Sequence, residues 1–396
     1  MLFKLLNRLS FISDKIFSFS FLLKLISLNK MWLLGRITKY PPEVLKLEAA
    51  VAKFSLQHFG LSFCNGTSGI RAGLFASGVS PGATVIMSGM SFQSTVMSAL
   101  HCGYNIKFCD VKDNLSMDLS SIVVDKNDRI LVVSSLFGFP QEMKEVMEFA
   151  DYHNLFVLED CSHAHGASYK GKPIGSFGDV AVFSLQGDKA VAGGEAGIAV
   201  TSEKNVYDRM RLFMHFGRDL ADVEPSLYGN SDVFRKVAFG QKGRMHPFAA
   251  ALANVDVRTL AKRNQRYRSN IEILKIIVNR SKALTVIEQI QDTELGGFHF
   301  GIPIIVDTNY CSVDSVIKSN GSFFLQYPYA HYETHLCFRD SDAFQQLLWT
   351  GKASHEDFPE LDNLKSLRER LVFLKFDVVQ RLSRYSRDLE KAIDAL

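Results

Sequence analysis

No Cys-x-x-Cys pair occurs among the six cysteines, Cys64, Cys102, Cys109, Cys161, Cys311 and Cys337. That argues against a zinc site and a disulfide framework and fits free thiols in a reducing cytosol. Neither Gly-x-Gly-x-x-Gly nor Gly-x4-Gly-Lys-Ser/Thr is present, so dinucleotide and P-loop readings are weak. Charge of one sign is also lacking: the formal net charge is +3, which gives no reason to expect a nucleic-acid partner. There is no internal repeat and no low-complexity tract. What remains is ordinary globular composition, with 47% hydrophobic and 22% charged residues. Its 396 residues suggest one large domain and a smaller one.

The first thirty residues are apolar and basic, carrying Lys4, Arg8, Lys15, Lys24 and Lys30 against the single acid Asp14. Their uncharged run from Ile16 to Leu23 is far short of the ~20 apolar residues of a spanning helix. No small-residue cleavage site follows, which argues against a secretory signal. One reading is a basic amphipathic segment lying on an anionic membrane surface. The other is a leader helix packed on the body or on a second subunit. The expected location is cytoplasmic, with peripheral membrane contact through residues 1–30 under the first reading.

From Pro41 to His58 the positions Val44, Leu47, Val51 and Phe54 recur at helical spacing, and Gly60 closes the segment. Short apolar runs then read as strands: Ser62–Cys64, Thr84–Met87, Ile106–Cys109, Ile130–Ser134, Leu155–Leu158, Val180–Leu185 and Ile198–Thr201. Helix-length stretches such as Phe92–His101 and Gln141–His153 lie between them. This alternation predicts an α/β fold with a mostly parallel sheet, in which ligands gather beyond the strands' carboxyl ends. From about Met214 the alternation fades. A long helix is expected over Pro247–Val278, with Arg258, Lys262, Arg263, Arg266 and Arg268 as a solvated basic face. A strand over Phe298–Val306 and a terminal amphipathic helix complete a smaller α+β region. The expected division is a leader over 1–39, a large domain over 40–250, and the long helix with the smaller domain over 251–396.

Three groups follow strand ends. Asn65-Gly66-Thr67-Ser68-Gly69 can offer backbone N–H groups, hydroxyls and a helix dipole to one phosphate, or can simply cap a helix. Asp160 could hold the charged nitrogen of a pyridinium ring, or serve as an N-cap. Lys189 lies among small residues that allow close approach of a planar ligand, and could attack a carbonyl once burial strips its proton. The alternative is one surface lysine among many.

The stretch from Leu158 to Lys189 carries Glu159-Asp160, His165-Gly166-Ala167, Gly175-Ser176-Phe177-Gly178-Asp179, Phe183-Ser184 and finally Lys189. It resembles the signature of the DegT/DnrJ/EryC1/StrS sugar aminotransferases, across roughly Tyr40 to Asn254. The resemblance implies a fold-type-I pyridoxal-phosphate enzyme. Lys189 would hold pyridoxal 5'-phosphate and move the proton. Asp160 would pair with the ring nitrogen, and His163 would stand near the ring hydroxyl. Gly66, Thr67, Ser68 and Ser184 would bind the phosphate, and Phe92 would stack on the ring. Lys242 stands where the family has an Asn that completes the neighbouring subunit's phosphate site, which implies a homodimer. No metal is implied. There are departures: the family's Gly-Glu-Gly-Gly is Gly194-Glu195-Ala196-Gly197 here, and the leader is not typical. Ala330-His331-Tyr332-Glu333-Thr334-His335 resembles a His-Tyr segment near the substrate only loosely.

The reaction implied is transfer of an amino group from an amino acid, glutamate as the expected donor, to a keto-sugar nucleotide. Two alternatives stay open. One is a pyridoxal-phosphate lyase or dehydratase on the same fold, although related dehydratases carry His in place of the lysine. The other is a non-catalytic, membrane-tethered relative.

Overall fold

Apolar runs rich in Val and Ile can be buried on both faces only in a covered parallel sheet, and that sheet organises the molecule. The computed structural model describes residues 19–34, 41–214, 240–297, 301–320, 323–326, 361–375 and 382–394. In chain order it begins with helices α1 (Phe19–Leu33) and α2 (Pro42–Phe54). Then come β1 (Phe59–Phe63), α3 (Gly66–Ala76), β2 (Thr84–Ser88), α4 (Gln93–His101), β3 (Asn105–Cys109), β4 (Asp128–Ser134), α5 (Met143–His153) and β5 (Phe156–Asp160). The short strands β6 (Ser168–Tyr169) and β7 (Lys172–Pro173) precede β8 (Val180–Ser184), β9 (Gly197–Thr201) and α6 (Lys204–Met214).

The large sheet has seven strands in the order β1-β9-β8-β5-β4-β2-β3. β8, β5, β4, β2 and β3 are parallel, and β9 is antiparallel to both β8 and β1. Six strands therefore send their carboxyl ends to one edge. Ile86, Leu131, Val133, Val157 and Phe183 pack on one face against Leu47 and Val51 of α2 and Met143 and Val146 of α5. Val85, Met87, Val132, Leu158 and Val182 pack on the other against Ile70 and Leu74 of α3, Val96 of α4 and Met210 of α6.

The edge strand β1 is closed off by α2. Glu48 accepts the Ser62 N–H (2.9 Å), and a Cβ on Gly60 would lie 2.4 Å from the Glu48 carbonyl oxygen. Gly60 is thus a close-approach glycine inside β1, not the end of the preceding helix. That helix stops earlier than its apolar spacing predicts, because Leu56 turns to φ 54° and Gln57 N–H reaches back to the Ala52 carbonyl.

The second part starts with α7 (Pro247–Val278), followed by β10 (Leu284–Val286), β11 (Thr293–Glu294), β12 (Ile302–Val306), α8 (Val313–Asn320), β13 (Phe324–Gln326), α9 (Asp362–Arg370), β14 (Leu371–Leu374) and α10 (Leu382–Asp394). A four-stranded antiparallel sheet, β10-β12-β14-β13, packs its apolar side on Tyr267, Ile271, Leu274 and Val278 of α7. β11, β6 and β7 form a small third sheet. The basic residues of α7 are not all a solvated face. Arg258, Lys262 and Arg266 are exposed, but Arg263 donates to the Ala190 carbonyl (2.6 Å) and Arg268 to the Leu295 carbonyl (3.0 Å).

In the leader, α1 packs on α7. Met31 is buried, and Lys24 Nζ pairs with the buried Asp256 at 2.7 Å. This is the body-packing arrangement for residues 19–33; residues 1–18 and Ala330–His335 lie outside the described residues. Among the described residues no helix is long and apolar enough to cross a membrane.

Asp110, just past β3, joins the two parts. Its carboxylate accepts the N–H groups of Val111 (2.8 Å), Asn363 (2.9 Å) and Leu364 (2.8 Å), the last two from the first turn of α9. Asp110→Ala orphans these donors, and we expect a loss of about 2 kcal/mol in urea unfolding; a loss under ~0.5 kcal/mol would show that the cap contributes nothing.

Candidate active site

The carboxyl edge gathers most of the residues singled out above. β1 leads into α3 through Asn65, whose side chain caps the helix by accepting the Ser68 N–H at 2.8 Å. Ser68 Oγ meets Cys64 Sγ at 3.3 Å. Gly66 lies against the end of β8, where a Cβ would stand 2.8 Å from Ser184 Cβ, so only glycine fits there. Ser184 is the last residue of β8, and its N–H donates to Ser162 Oγ at 3.3 Å. Gly66, Thr67, Ser68 and Ser184 therefore form one cradle of small polar groups at a helix start.

Asp160 stands inside β5 as its last residue, one step earlier in the geometry than a residue following the strand. It is buried. Its Oδ2 accepts from Thr95 Oγ1 at 2.9 Å and its Oδ1 from the Ser162 N–H at 3.1 Å. Both oxygens are thereby aimed. Thr95 is in the first turn of α4, whose N-cap is Phe92, so one turn carries the expected stacking ring and the hydroxyl that holds Asp160. Ser134 pairs in register with Asp160 on β4. Its buried Oγ has no hydrogen-bond partner among the described residues. His163 is buried next to this row, and its Nδ1 accepts the Phe137 N–H at 3.4 Å. Phe137 itself is held at φ 55°, a strained conformation for an aromatic residue, in the turn three residues past the end of β4.

Lys189 sits in a turn closed by its own N–H to the Gln186 carbonyl (2.9 Å). The turn is fastened at several points. Gly193 N–H donates to Leu185 and Leu185 N–H to Ala196, each at 2.8 Å. A Cβ on Gly193 would lie 2.8 Å from the Ala249 carbonyl oxygen of α7. Ala196, the residue in place of a family glycine, is fully buried in the core. Burial lowers the Lys189 amine from the ordinary 10.5 to about 8, against the opposing pull of the Asp160 and Asp188 carboxylates.

Lys242 is not part of the cluster. It is exposed, and its side chain makes no hydrogen bond or ion pair with a described residue. Its neighbour Gly243 is stitched to the end of β1 through the Cys64 N–H (2.7 Å). Among the described residues no group of three His, Cys, Asp or Glu could hold a metal.

Sequence reasoning missed Thr95, Ser162 and Ser134. Thr95 lies three residues after Phe92, so helical spacing would have placed it on the same turn. Ser162 lies two residues after Asp160, the usual spacing of an Asx turn. Ser134 carries no signal in one chain.

The residues present fit pyridoxal phosphate on three counts. A cradle too tight for a Cβ adjoins two hydroxyls. A carboxylate already held by two donors faces the site. An amine depressed by burial lies within electrostatic reach of that carboxylate.

The titration of Lys189 has a stability consequence. Below about pH 8 the amine is charged in both folded and unfolded chains. Between about 8 and 10.5 the unfolded chain binds the proton and the folded chain does not, so stability rises with pH across that window. In cofactor-free protein, the stability difference between wild type and Lys189→Met should shift in favour of wild type from pH 7.5 to 10. A difference unchanged by pH in urea unfolding would refute the depressed amine.

The chain matches the model of the DegT/DnrJ/EryC1/StrS aminotransferase family over residues 27–345, further in both directions than the signature stretch. It is 35% identical over 183 residues to GDP-perosamine synthase of Escherichia coli O157:H7, covering 45% of this chain and 49% of that protein. It is 32% identical over 175 residues to the UDP-N-acetyl-3-dehydro-α-D-glucosamine 3-aminotransferase of Acidithiobacillus ferrooxidans, covering 43% of this chain and 47% of that protein. The matched stretch thus spans about half the length of these curated relatives. Among solved structures, an aminotransferase from Psychrobacter cryohalolentis superposes with a TM-score of 0.81 at 21% identity, over 94% of this chain and 95% of that one. That likeness shows the fold. The sheet order, the carboxyl-edge cluster and the family match agree: this chain has the fold-type-I architecture and belongs to the DegT/DnrJ/EryC1/StrS aminotransferase family.

Proposed function

We propose that this chain is a pyridoxal-phosphate-dependent aminotransferase that moves an amino group from an amino acid, glutamate as the expected donor, to a keto-sugar nucleotide. The observation that carries this reading is the meeting of Lys189, Asp160 and the Gly66–Ser184 cradle at one sheet edge. The sugar-nucleotide part rests on relatives whose names specify GDP- and UDP-linked sugars.

In this reading, Gly66, Thr67, Ser68 and Ser184 hold the phosphate. Asp160, aimed by Thr95 and Ser162, receives the ring nitrogen's N–H. Phe92 covers one ring face, and His163 stands beside the ring. The bound cofactor supplies an electron sink. Lys189 Nζ, depressed to about 8, keeps an appreciable neutral fraction near neutral pH. It can therefore take the proton from the donor's Cα and return it to the acceptor carbon. Lys242 is exposed, which suits a point charge offered to a second copy's phosphate site, and a homodimer is part of this proposal.

The test is the absorbance of purified protein with pyridoxal phosphate, before and after glutamate. A visible band that glutamate shifts to shorter wavelength supports the reading; no band in the wild type would sink it. Lys189→Ala should lose the band and slow the glutamate half-reaction by at least about 10²–10⁴-fold.

A peripheral membrane contact is a second element, favoured by α1. Its outward residues Leu22, Leu25, Ile26, Trp32 and Leu33 are exposed, Leu33 by 82%. A helix apolar on its outer face and preceded by basic residues suits an anionic lipid surface. Flotation with phosphatidylserine vesicles should carry the full chain up. Leu25→Glu, Ile26→Glu and Trp32→Glu together should leave it at the bottom; equal flotation would exclude this face.

A further inference from the structure

Lys24 of the leader and the acid Asp256 have no place in the chemistry above, yet they meet directly behind the Lys189 turn. Asp256 is the only acid in the first 25 residues of α7 and is 3% exposed. A carboxylate so placed needs both a countercharge and hydrogen bonds. Lys24 of α1 supplies a countercharge in direct contact, with Nζ 2.7 Å from Oδ2, and the Arg263 guanidinium adds a second. The same Oδ2 accepts the Ala192 N–H at 3.1 Å. Two turns further along α7, Arg263 Nη2 donates both to the Ala190 carbonyl (2.6 Å) and to the Asp256 carbonyl (3.1 Å). The backbone on the carboxyl side of Lys189 is therefore tied to α7 at residues 190 and 192, and one of the two ties depends on a charge that the leader helps to neutralise.

We propose that Lys24 is a positioning residue for Lys189. It acts through Asp256 and the Ala192 N–H, so that docking of the leader helix is part of the support of the lysine turn. Lys24 lies ahead of residue 27, where the family-model match begins. The role rests on the reading of Lys189 as the cofactor lysine, whereas the mechanical link does not. Removing Lys24 takes the contacting cation from a buried carboxylate, a loss that costs more than the intact pair contributes. In Lys24→Met the carboxylate keeps the Coulombic pull of Arg263, but its Oδ2 loses the Lys24 contact and with it a firm hold on the Ala192 N–H.

The first arm uses cofactor-free full-length protein and hydrogen exchange. Lys24→Met should speed exchange of the peptide covering residues 190–193 by about tenfold or more, while peptides of β4 and α5 keep wild-type rates. Asp256→Asn added to Lys24→Met removes the buried charge that has lost its Lys24 contact and keeps an oxygen for the Ala192 N–H, so exchange should return to within about threefold of wild type. Unchanged exchange at 190–193 would overturn the link. A uniform rise that includes β4 would also overturn it, because Lys24 would then serve only global stability.

The second arm uses protein loaded with pyridoxal phosphate. Lys24→Met should weaken cofactor binding and slow the glutamate half-reaction by about tenfold each, with KM for glutamate unchanged and with recovery in the double variant. A loaded Lys24→Met chain with wild-type binding and rate would overturn the positioning role. A wild-type chain without a visible band would sink the aminotransferase reading instead, and the exchange arm would still decide the link.

Discussion

Glu159 turns its carboxylate away from the site and accepts three backbone N–H groups, from Gly175 (2.9 Å), Phe177 (2.8 Å) and Gly178 (2.8 Å). It is fully buried, and burial pushes its carboxyl up while the three donors pull it back. The loop after β7 folds around this one side chain, which sets where β8 begins and hence where Ser184 ends. The next residue, Asp160, points to the opposite sheet face, toward Thr95. Strand alternation therefore assigns two adjacent carboxylates separate tasks, one in the frame and one in the site. A register slip of a single residue would exchange them and disable both.

The parallel sheet does the rest of the positioning. Its crossovers run over both faces, so loops from β1, β2, β4, β5 and β8 all open at one edge. Each loop brings a different kind of group: a helix start with a Cβ-free residue, a helix turn with Phe92 and Thr95, a strained Phe137 against His163, a carboxylate, and a hydroxyl. None is a site alone. Their meeting follows from strand order, which places β5 between β4 and β8.

Much of this was legible in the residues. The apolar runs gave β2, β3, β8 and β9 within a residue and β4 within two, since doubly buried strands are continuous and β-branched. Asp160 and Lys189 stood out because their chain order and spacing resemble a known signature. Other parts left little trace. β6, β7 and β11 are two residues each, too short for any period to appear. Gly60 reads as a helix stop, but α2 needs it for close approach to β1. Arg263 and Arg268 look like members of a solvated row, yet each finds a carbonyl in a distant segment. Lys242 matches a family position in sequence, but its role depends on a second chain. Asp256 is one acid on an alanine-rich helix, and only the fold brings Lys24 to it.

The depressed Lys189 amine ties these levels together. Desolvation lowers it, while Asp160 and Asp188 both work to raise it again. A neutral amine therefore survives only while the turn stays packed against the sheet edge. Beyond the buried Val191, that packing has little side-chain bulk to draw on, since the turn is otherwise flanked by Gly187, Ala190, Ala192, Gly193 and Gly194. Small residues admit a planar ligand, but they bury little area and leave the backbone free to move. Hydrogen bonds from outside must replace the missing packing, and α7 provides them through Arg263 and Asp256. The openness required for ligand entry and the burial required for an uncharged amine oppose each other, and charged side chains behind the turn reconcile them.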